Sequence, residues 1–401
     1  MRIFRVLFAC TAIGLMATSF PSSAGAIPAF ARKYGVSCNL CHAPAPRLTA
    51  FGEEFAGNGF ELQPGEPARD TIDTGDGLLR LLRRIEFALR LDLFATAITP
   101  IREAEPSIDL QMPYNIKLLS GGVLADKISY YMYFFLSERG EVAGLEDAYI
   151  QFTDIGGSGV SLMAGQFQVS DPLFKRELRL EYEDYQAYRV RVGDARSDMT
   201  YDRGLFATAS PWTGSDVALI VVNGTGLSAA DEDRQYDSDA LKNVALRLSQ
   251  EVGPIRVGGF AYFGEQRVDA ADDRIRVFGP DITIGLGNIE LNGQYLRRTD
   301  SNPFFDGLQT DTEVDAAFAE VVWSPGGGPG RWHFTGLYNW IDSDAPVFTL
   351  RAGEEEALSH YESLNGSMHY LVRRNVRFLG EVGYDLERER TRLTIGGVLA
   401  W

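Results

Sequence analysis

Cysteine is almost missing from this chain: Cys10, Cys38 and Cys41 are the only three in 401 residues. That excludes a disulfide-built scaffold in a protein of this size. Histidine is nearly as scarce, with four in all, and their spacing is not that of a metal site. No apolar run approaches the roughly 20 residues that a helix needs to cross a bilayer. Basic charge is in deficit, with 38 Lys and Arg against 55 Asp and Glu, a net charge of −17. Loss of Arg2 and Arg5 with a leader takes this to −19, two positive charges fewer. Nucleic acid is thereby excluded as a partner, because phosphate binding wants a basic face, whereas attraction of cations is allowed. What the chain has in quantity is glycine, 42 residues, and aromatics at 11%, a composition that suits many strands and turns.

Residues 1–26 read as a secretory signal. Arg2 and Arg5 give the positive start, 6–16 the short apolar core, and Ala24-Gly25-Ala26 an A-x-A cleavage site. The mature chain is expected to begin at Ile27, and Cys10 to leave with the leader.

The two remaining cysteines stand in Ser37-Cys38-Asn39-Leu40-Cys41-His42. This is a C-x-x-C-H run, the attachment signature of a c-type haem. Two intervening residues let both thiols reach one porphyrin edge and add across its vinyl groups. His42 follows at once and is placed to give a proximal nitrogen to iron. A disulfide would not need His42, and zinc would need two further ligands nearby, which the sequence does not supply. The expected cofactor is therefore one covalent haem c on Cys38 and Cys41, with His42 as the axial ligand.

Residues 27–77 form the haem segment and a linker. The piece is too small to fold robustly without its cofactor or a host. Pro44 and Pro46 direct the chain away in extended form. Leu48, Phe51 and Phe55 then recur at helical spacing, with Gly57 or Gly59 as the stop, and Phe30 and Tyr34 can pack from the other side. Residues 61–77, rich in Gly, Pro, Asp and Thr, read as the linker. No Met and no second His lies between His42 and Gln111. The sixth iron site is thus open, filled by an unusual group, or filled from the rest of the chain.

From Arg83 onward the hydrophobic period is two. Ile85, Phe87, Leu89, Leu91 and Leu93 alternate with Glu86, Ala88, Arg90 and Asp92. Val376, Phe378, Gly380, Val382 and Tyr384 alternate with Arg377, Glu381 and Asp385, and Trp332, Phe334, Tyr338 and Trp340 with His333, Thr335 and Asn339. Faces this charged fit strands with lipid on one side and a wet lumen on the other. Tight turns at 253–254, 324–330 and 373–375 alternate with longer polar links at 225–240, 299–312 and 342–357, as turns and outer loops do in outer-membrane barrels. Trp212, Trp323, Trp332 and Trp401 fall at one rim and Trp340 near the other. Residues 78–401, at roughly 18–20 per strand and turn, give an all-β transmembrane barrel of about 16 antiparallel strands, with 18 as the alternative. The count turns on 170–193, where 176–182 is either a strand or a folded-in loop. So wide a lumen needs a plug if it is not a pore, and the haem segment is expected in or at its periplasmic mouth. Parity puts His369 and His333 toward the lumen, which makes them the candidates for a distal ligand. Met368 falls on the apolar face, and Met112, Met132, Met163 and Met199 have less clear parity. Acid pairs such as Glu146 with Asp147, and Glu181 with Glu183, read as lumen or loop charges.

Ile27-Pro28-Ala29-Phe30-Ala31-Arg32, Gly35, Cys38, Cys41, His42, Pro46, Leu48, Phe51-Gly52, Phe55 and Asn58-Gly59-Phe60 together resemble the N-terminus of fused outer-membrane monohaem cytochrome c–porins. The best-known members are the iron oxidases of iron-oxidising bacteria. The resemblance implies one haem c inside a porin-like barrel of the outer membrane and electron passage across that membrane. Glu53, Glu54 and Ala56 depart from the more basic helix of the iron oxidases, so the resemblance bears on an electron conduit more than on iron as the donor. Three functions follow. Electrons pass from an extracellular donor such as Fe(II) to a periplasmic cytochrome; or the barrel is a diffusion porin with a haem-stabilised plug; or the conduit runs outward to extracellular acceptors. Five acids in 225–240 (Asp231, Glu232, Asp233, Asp237, Asp239), Asp342, Asp344 and Glu354 to Glu356 in 342–357, and Asp269, Asp272 and Asp273 give the outer rim a strong negative charge.

Overall fold

The computed structural model describes residues 29–42, 48–63, 71–79, 81–99, 107–174, 184–268, 271–306, 311–350 and 356–401. The leader, Pro44, Pro46, the 176–182 stretch, Asp269, Glu354 and Glu355 lie outside the described residues.

Two short strands, β1 (Thr71–Ile72) and β2 (Leu81–Leu82), pair as a hairpin where the linker ends. The barrel proper starts beyond residue 78, at Phe87. Its strands are β3 (Phe87–Ile98), β4 (Ser107–Ala125), β5 (Ile128–Glu138), β6 (Gly144–Phe152), β7 (Val160–Gln168), β9 (Tyr201–Ala209), β10 (Ser215–Val222) and β11 (Asn243–Val252). They continue as β12 (Ile255–Val268), β13 (Ala271–Leu286), β14 (Ile289–Asp300), β15 (Thr312–Trp323), β16 (Trp332–Ser343), β18 (His360–Arg373), β19 (Val376–Asp385) and β20 (Arg390–Ala400). All sixteen pair antiparallel in one closed ring, the lower of the two expected counts. The ring closes where β20 meets β3, with Ala400 opposite Arg90 and Arg392 opposite Ile98. Leu89 and Trp401 exchange backbone hydrogen bonds of 2.8 and 2.9 Å across that seam.

The period of two explains the wall. In β18, Ser363, Asn365, Ser367 and His369 are buried inside while Leu364 and Met368 are exposed outside. In β3, Asp92, Phe94 and Thr96 point in and Phe87 out. Inward polar groups satisfy one another: Arg90 Nε donates to Asp92 at 2.7 Å and Asn115 Nδ2 donates to the same carboxylate at 3.2 Å. The turns at 126–127, 153–159, 253–254, 287–288, 324–331 and 374–375 share one end with the start of β3 and the end of β20. The exposed Trp212, Trp323, Trp332 and Trp401 stand at that short-turn end. The links 169–200, 223–242, 301–311 and 344–359 leave from the other end.

The described part of the 169–200 link is folded into the lumen. Its short 3-10 turn Gln186–Tyr188 packs inside β15 and β16, and β8 (Arg191–Val192) pairs with β17 (Phe348–Thr349) from the 344–359 link. Tyr185 donates to Glu320 at 2.9 Å, Tyr188 to Gln294 at 2.5 Å, and Arg298 to the carbonyls of Val190 and Ser197 at 2.8 Å. Phe318, Leu337 and Ile341 on the inner wall bury against it, so this side of the barrel encloses an apolar core. Sequence periodicity misreads this wall as wholly wet because these inward apolar positions are matched by a loop from elsewhere in the chain.

Candidate functional site: the cysteine-bearing cavity

The N-terminal segment enters the lumen from the short-turn end. Helix α1 (Ala29–Tyr34) stops at Gly35, whose φ of +67° suits a residue without a Cβ. The turn Cys38–Leu40 follows. Backbone N–H groups of Cys41 and His42 both donate to the Cys38 carbonyl, at 3.2 and 2.9 Å, which draws the two thiols and the imidazole together. Thr49 then closes the loop. Its hydroxyl donates to the Leu40 carbonyl at 2.8 Å and caps α2 (Ala50–Gly57) by accepting from Gly52 N at 3.1 Å.

The segment's own core is aromatic. Phe30 stacks on Phe60 at 4.7 Å and meets Phe55 edge-on at 5.4 Å, and Tyr34 donates to the Phe60 carbonyl at 2.6 Å. The same residues dock it on the barrel wall. Phe60 stacks on Tyr131 of β5 at 5.3 Å, and Gln151 of β6 donates to the Gly57 carbonyl at 2.5 Å. Arg32 reaches the Phe87 carbonyl at 3.4 Å. Gly59 faces Ser129 and Thr153 so closely that a Cβ would lie 2.8 and 2.9 Å from their hydroxyl oxygens.

Between segment and wall lies a cavity of about 330 Å³, within the size range of small-molecule and cofactor sites. Cys38, Cys41 and His42 all line it, beside Leu40, Leu48 and Phe55. Both cysteines are free thiols. Burial pushes both thiols up from their ordinary pKa, and the Arg374 guanidinium partly opposes this at Cys38. Among the described residues no group of three or more His, Cys, Asp or Glu is placed to hold a metal ion by itself.

The donor set and the space fit a covalent haem c: two thiols and an imidazole on one apolar wall, with aromatic side chains around them. The opposite wall is cationic. Arg90 of β3, Lys117 of β4 and Arg377 of β19 all reach the cavity. Arg90 and Arg377 are readable from sequence as lumen residues. Lys117 stands directly opposite Arg90 through the β3–β4 pairing, and Arg377 reaches the same cavity through the β20–β3 closure.

His333 and His369 do point inward and are opposite each other in the β16–β18 register, both fully buried. His333 Nδ1 is 2.8 Å from Ser324 Oγ, and His369 Nε2 is 3.0 Å from Ser367 Oγ. Neither lines the cavity that holds His42. Met112, Met132 and Met368 are exposed, Met199 is buried in the core of the inward-folded link, and Met163 packs against that core. Among the described residues lining the cavity, His42 is the sole histidine and there is no methionine.

No family model matches the chain, and no curated protein matches it. Solved structures are similar to it. One is an anion-selective porin from Comamonas acidovorans, with TM-score 0.59, 8% identity, and 79% of this chain and 99% of that chain covered. Another is outer-membrane expressed OmpT of Vibrio cholerae, with TM-score 0.51, 11% identity and coverage of 79% and 97%. A third is the outer membrane channel DcaP of Acinetobacter baumannii, with TM-score 0.53, 11% identity and coverage of 79% and 97%. At such identities the likeness establishes the architecture alone, a closed porin-type barrel.

Proposed function

We propose that this chain is an outer-membrane electron-transfer barrel, a cytochrome–porin that exchanges electrons between an extracellular partner and a periplasmic carrier. The observation that carries the reading is the meeting of Cys38, Cys41 and His42 on one apolar cavity inside the lumen. Cys38 and Cys41 would hold a haem by thioether bonds, and His42 would supply its axial nitrogen. Bound there, haem c supplies a one-electron couple. The rest is the work of the chain. Phe30, Phe55 and Phe60 keep water from the site, and the docked segment blocks the short-turn mouth. The apolar outer face and Trp rim suit lipid, with the short turns on the periplasmic side. The acidic long links then face outward, where Fe(II) is one donor of suitable charge.

A diffusion porin with a haem-stapled plug is the second reading, favoured by the likeness to channel proteins. Two measurements separate them. The denatured protein is expected to keep haem on a gel, and Cys38→Ala with Cys41→Ala to release it. The native protein is expected to show no stepwise conductance in planar bilayers. Haem absent from the denatured chain would refute the cytochrome reading, and regular channel openings would favour the porin.

A further inference from the structure

We infer that His360 is a proton-operated latch: as the imidazolium it ties β16, β18 and the 386–389 turn together and closes the neck of the 344–359 link. The latch lies apart from the cysteine-bearing cavity and does not depend on the haem reading.

Register sets the place. Asp342 is directly opposite His360 across β16 and β18, and Trp340 is opposite Glu362. His360 and Glu362 share the parity of the exposed Leu364 and Met368, so they stand on the outer face of the barrel. Trp340 marks the aromatic level at the long-link end. The Asp342–His360 pair lies one outward-facing step beyond it, outside the apolar band. It is also the neck of the 344–359 link. Ser343 donates to the Ser359 carbonyl from its backbone N at 2.8 Å and from its Oγ at 3.2 Å. Past that neck the chain enters the lumen, where Val347, Phe348 and Leu350 are buried and Phe348 pairs with Val192. A cavity of about 180 Å³ beside His360, lined by Pro346, Leu358, Glu387 and Arg388, leaves the neck room to move.

Three carboxylates converge on the imidazole. Nδ1 is 2.9 Å from Asp342 Oδ1, and Nε2 is 3.5 Å from Glu387 Oε1 and 3.7 Å from Glu362 Oε2. A neutral imidazole has one N–H and one lone pair. With carboxylates before both nitrogens, at least one would face that lone pair. Only the imidazolium donates on both sides. Burial opposes the charge, but Asp342, Glu387 and Glu362 outweigh it and hold the His360 pKa above its ordinary value. The remaining charged and titratable groups nearby leave this arrangement intact. Tyr338 on β16 donates to Glu362 at 2.5 Å, and Arg388 in the turn reaches Asp385 on β19 at 3.4 Å. Glu389 and Arg390 complete the charges of that turn. Loss of the proton leaves three carboxylates around a ring that no longer offsets them. The latch is therefore fully present below the ordinary imidazole pKa of about 6.5. It is lost as pH rises through the raised value of the folded protein.

The test is amide hydrogen exchange of the 344–359 link in the full-length protein, read by mass spectrometry in EDTA-containing buffer. The unmodified chain, His360→Gln and Glu387→Gln are compared at about pH 5.5 and about pH 9, on either side of the imidazole range. Comparison at one pH cancels the intrinsic pH dependence of exchange. At the acid pH the link should exchange a few-fold faster in His360→Gln than in the unmodified protein. At the alkaline pH the two should converge, because the unmodified latch has also lost its proton. Glu387→Gln removes one of the carboxylates that hold the proton, so its protection should fade at a lower pH than in the unmodified protein. Equal exchange in His360→Gln and the unmodified chain at both pH values would overturn the latch. A difference of the same size at both would overturn it too, since the ring would then act by packing or as a neutral donor. Protection at alkaline pH that appears with added zinc and vanishes in EDTA would make the imidazole a metal ligand instead, and would also overturn it. If His360→Gln fails to fold, Glu387→Gln decides: a protection profile identical to that of the unmodified chain contradicts the assignment.

Discussion

Gly52 presses on Cys41: a Cβ at that glycine would lie 2.2 Å from the Cys41 carbonyl oxygen. Helix α2 can lie against the C-x-x-C turn only because this side chain is absent. Gly52→Ala must therefore push α2 off the turn, at a cost of at least the ~1–3 kcal/mol of an overpacked core. The expected outcome is a markedly lower haem-to-protein ratio with the barrel still folded. Gly57→Ala is the comparison, since a Cβ there meets nothing within 4 Å. Haem staining of a denaturing gel reads both; equal staining in Gly52→Ala would show that the close approach does not matter.

Phe60 joins the N-terminal segment to the wall, 4% exposed and stacked on both Phe30 and Tyr131. Phe60→Ala should cost about 3–5 kcal/mol of docking. The sixteen-stranded ring does not pass through this residue and should persist. Loss of the segment from the short-turn mouth should then appear as conductance in planar bilayers that the unmodified protein is expected not to show. A silent Phe60→Ala barrel would mean that the inward-folded link alone closes the lumen.

Much of this architecture is legible in sequence because one force dominates each element. Leu364 and Met368 must face outward and Asn365 and His369 inward, so β18 and its register are nearly dictated by its pattern. The C-x-x-C-H run is equally plain as a pattern, since it sets two thiols and an imidazole between positions 38 and 42. Three things are not plain. Gly59 reads as a helix stop, yet it also packs closely on Ser129 of β5 and Thr153 of the 153–159 turn, both far along the chain. Asp273 reads as part of an acidic rim; it is buried and accepts from the backbone N–H of Asn302 at 2.8 Å. Lys117 looks like any lumen charge until the β3–β4 register sets it opposite Arg90 and the β20–β3 closure brings Arg377 to the same cavity. Each of these depends on long-range pairing, which local periodicity does not encode.

His333 and His369 are opposite each other but lie off the cavity wall. Replacing either with Ala should leave the haem spectrum unchanged. With no second His and no Met on the described lining, the remaining axial position should be open to an added ligand such as cyanide, seen as a Soret shift on titration. A low-spin spectrum that is insensitive to cyanide and lost in His369→Ala would show that the barrel histidine reaches the iron.

The acidic links decide whether the donor is a cation. Several of their acids are occupied locally: Asp237 pairs with Lys242, Asp272 with Arg267, and Asp342 with His360 at 2.9 Å. Asp231 organises its own turn by accepting from Gln235 N at 2.8 Å. Glu232 and Asp233 remain exposed at the tip of the 223–242 link, so they are the groups best placed to raise the local concentration of an approaching cation. Exposed charges are screened over about 8 Å at physiological ionic strength, and steering should fade accordingly. Stopped-flow reduction of the haem is expected to slow with salt for a cationic donor and not for a neutral one. Glu232→Gln with Asp233→Asn should remove part of that difference, by a few-fold at low salt, without changing the potential. Equal salt slopes for the two donors would mean that these acids only solvate the loop, and a cationic substrate would lose its electrostatic support.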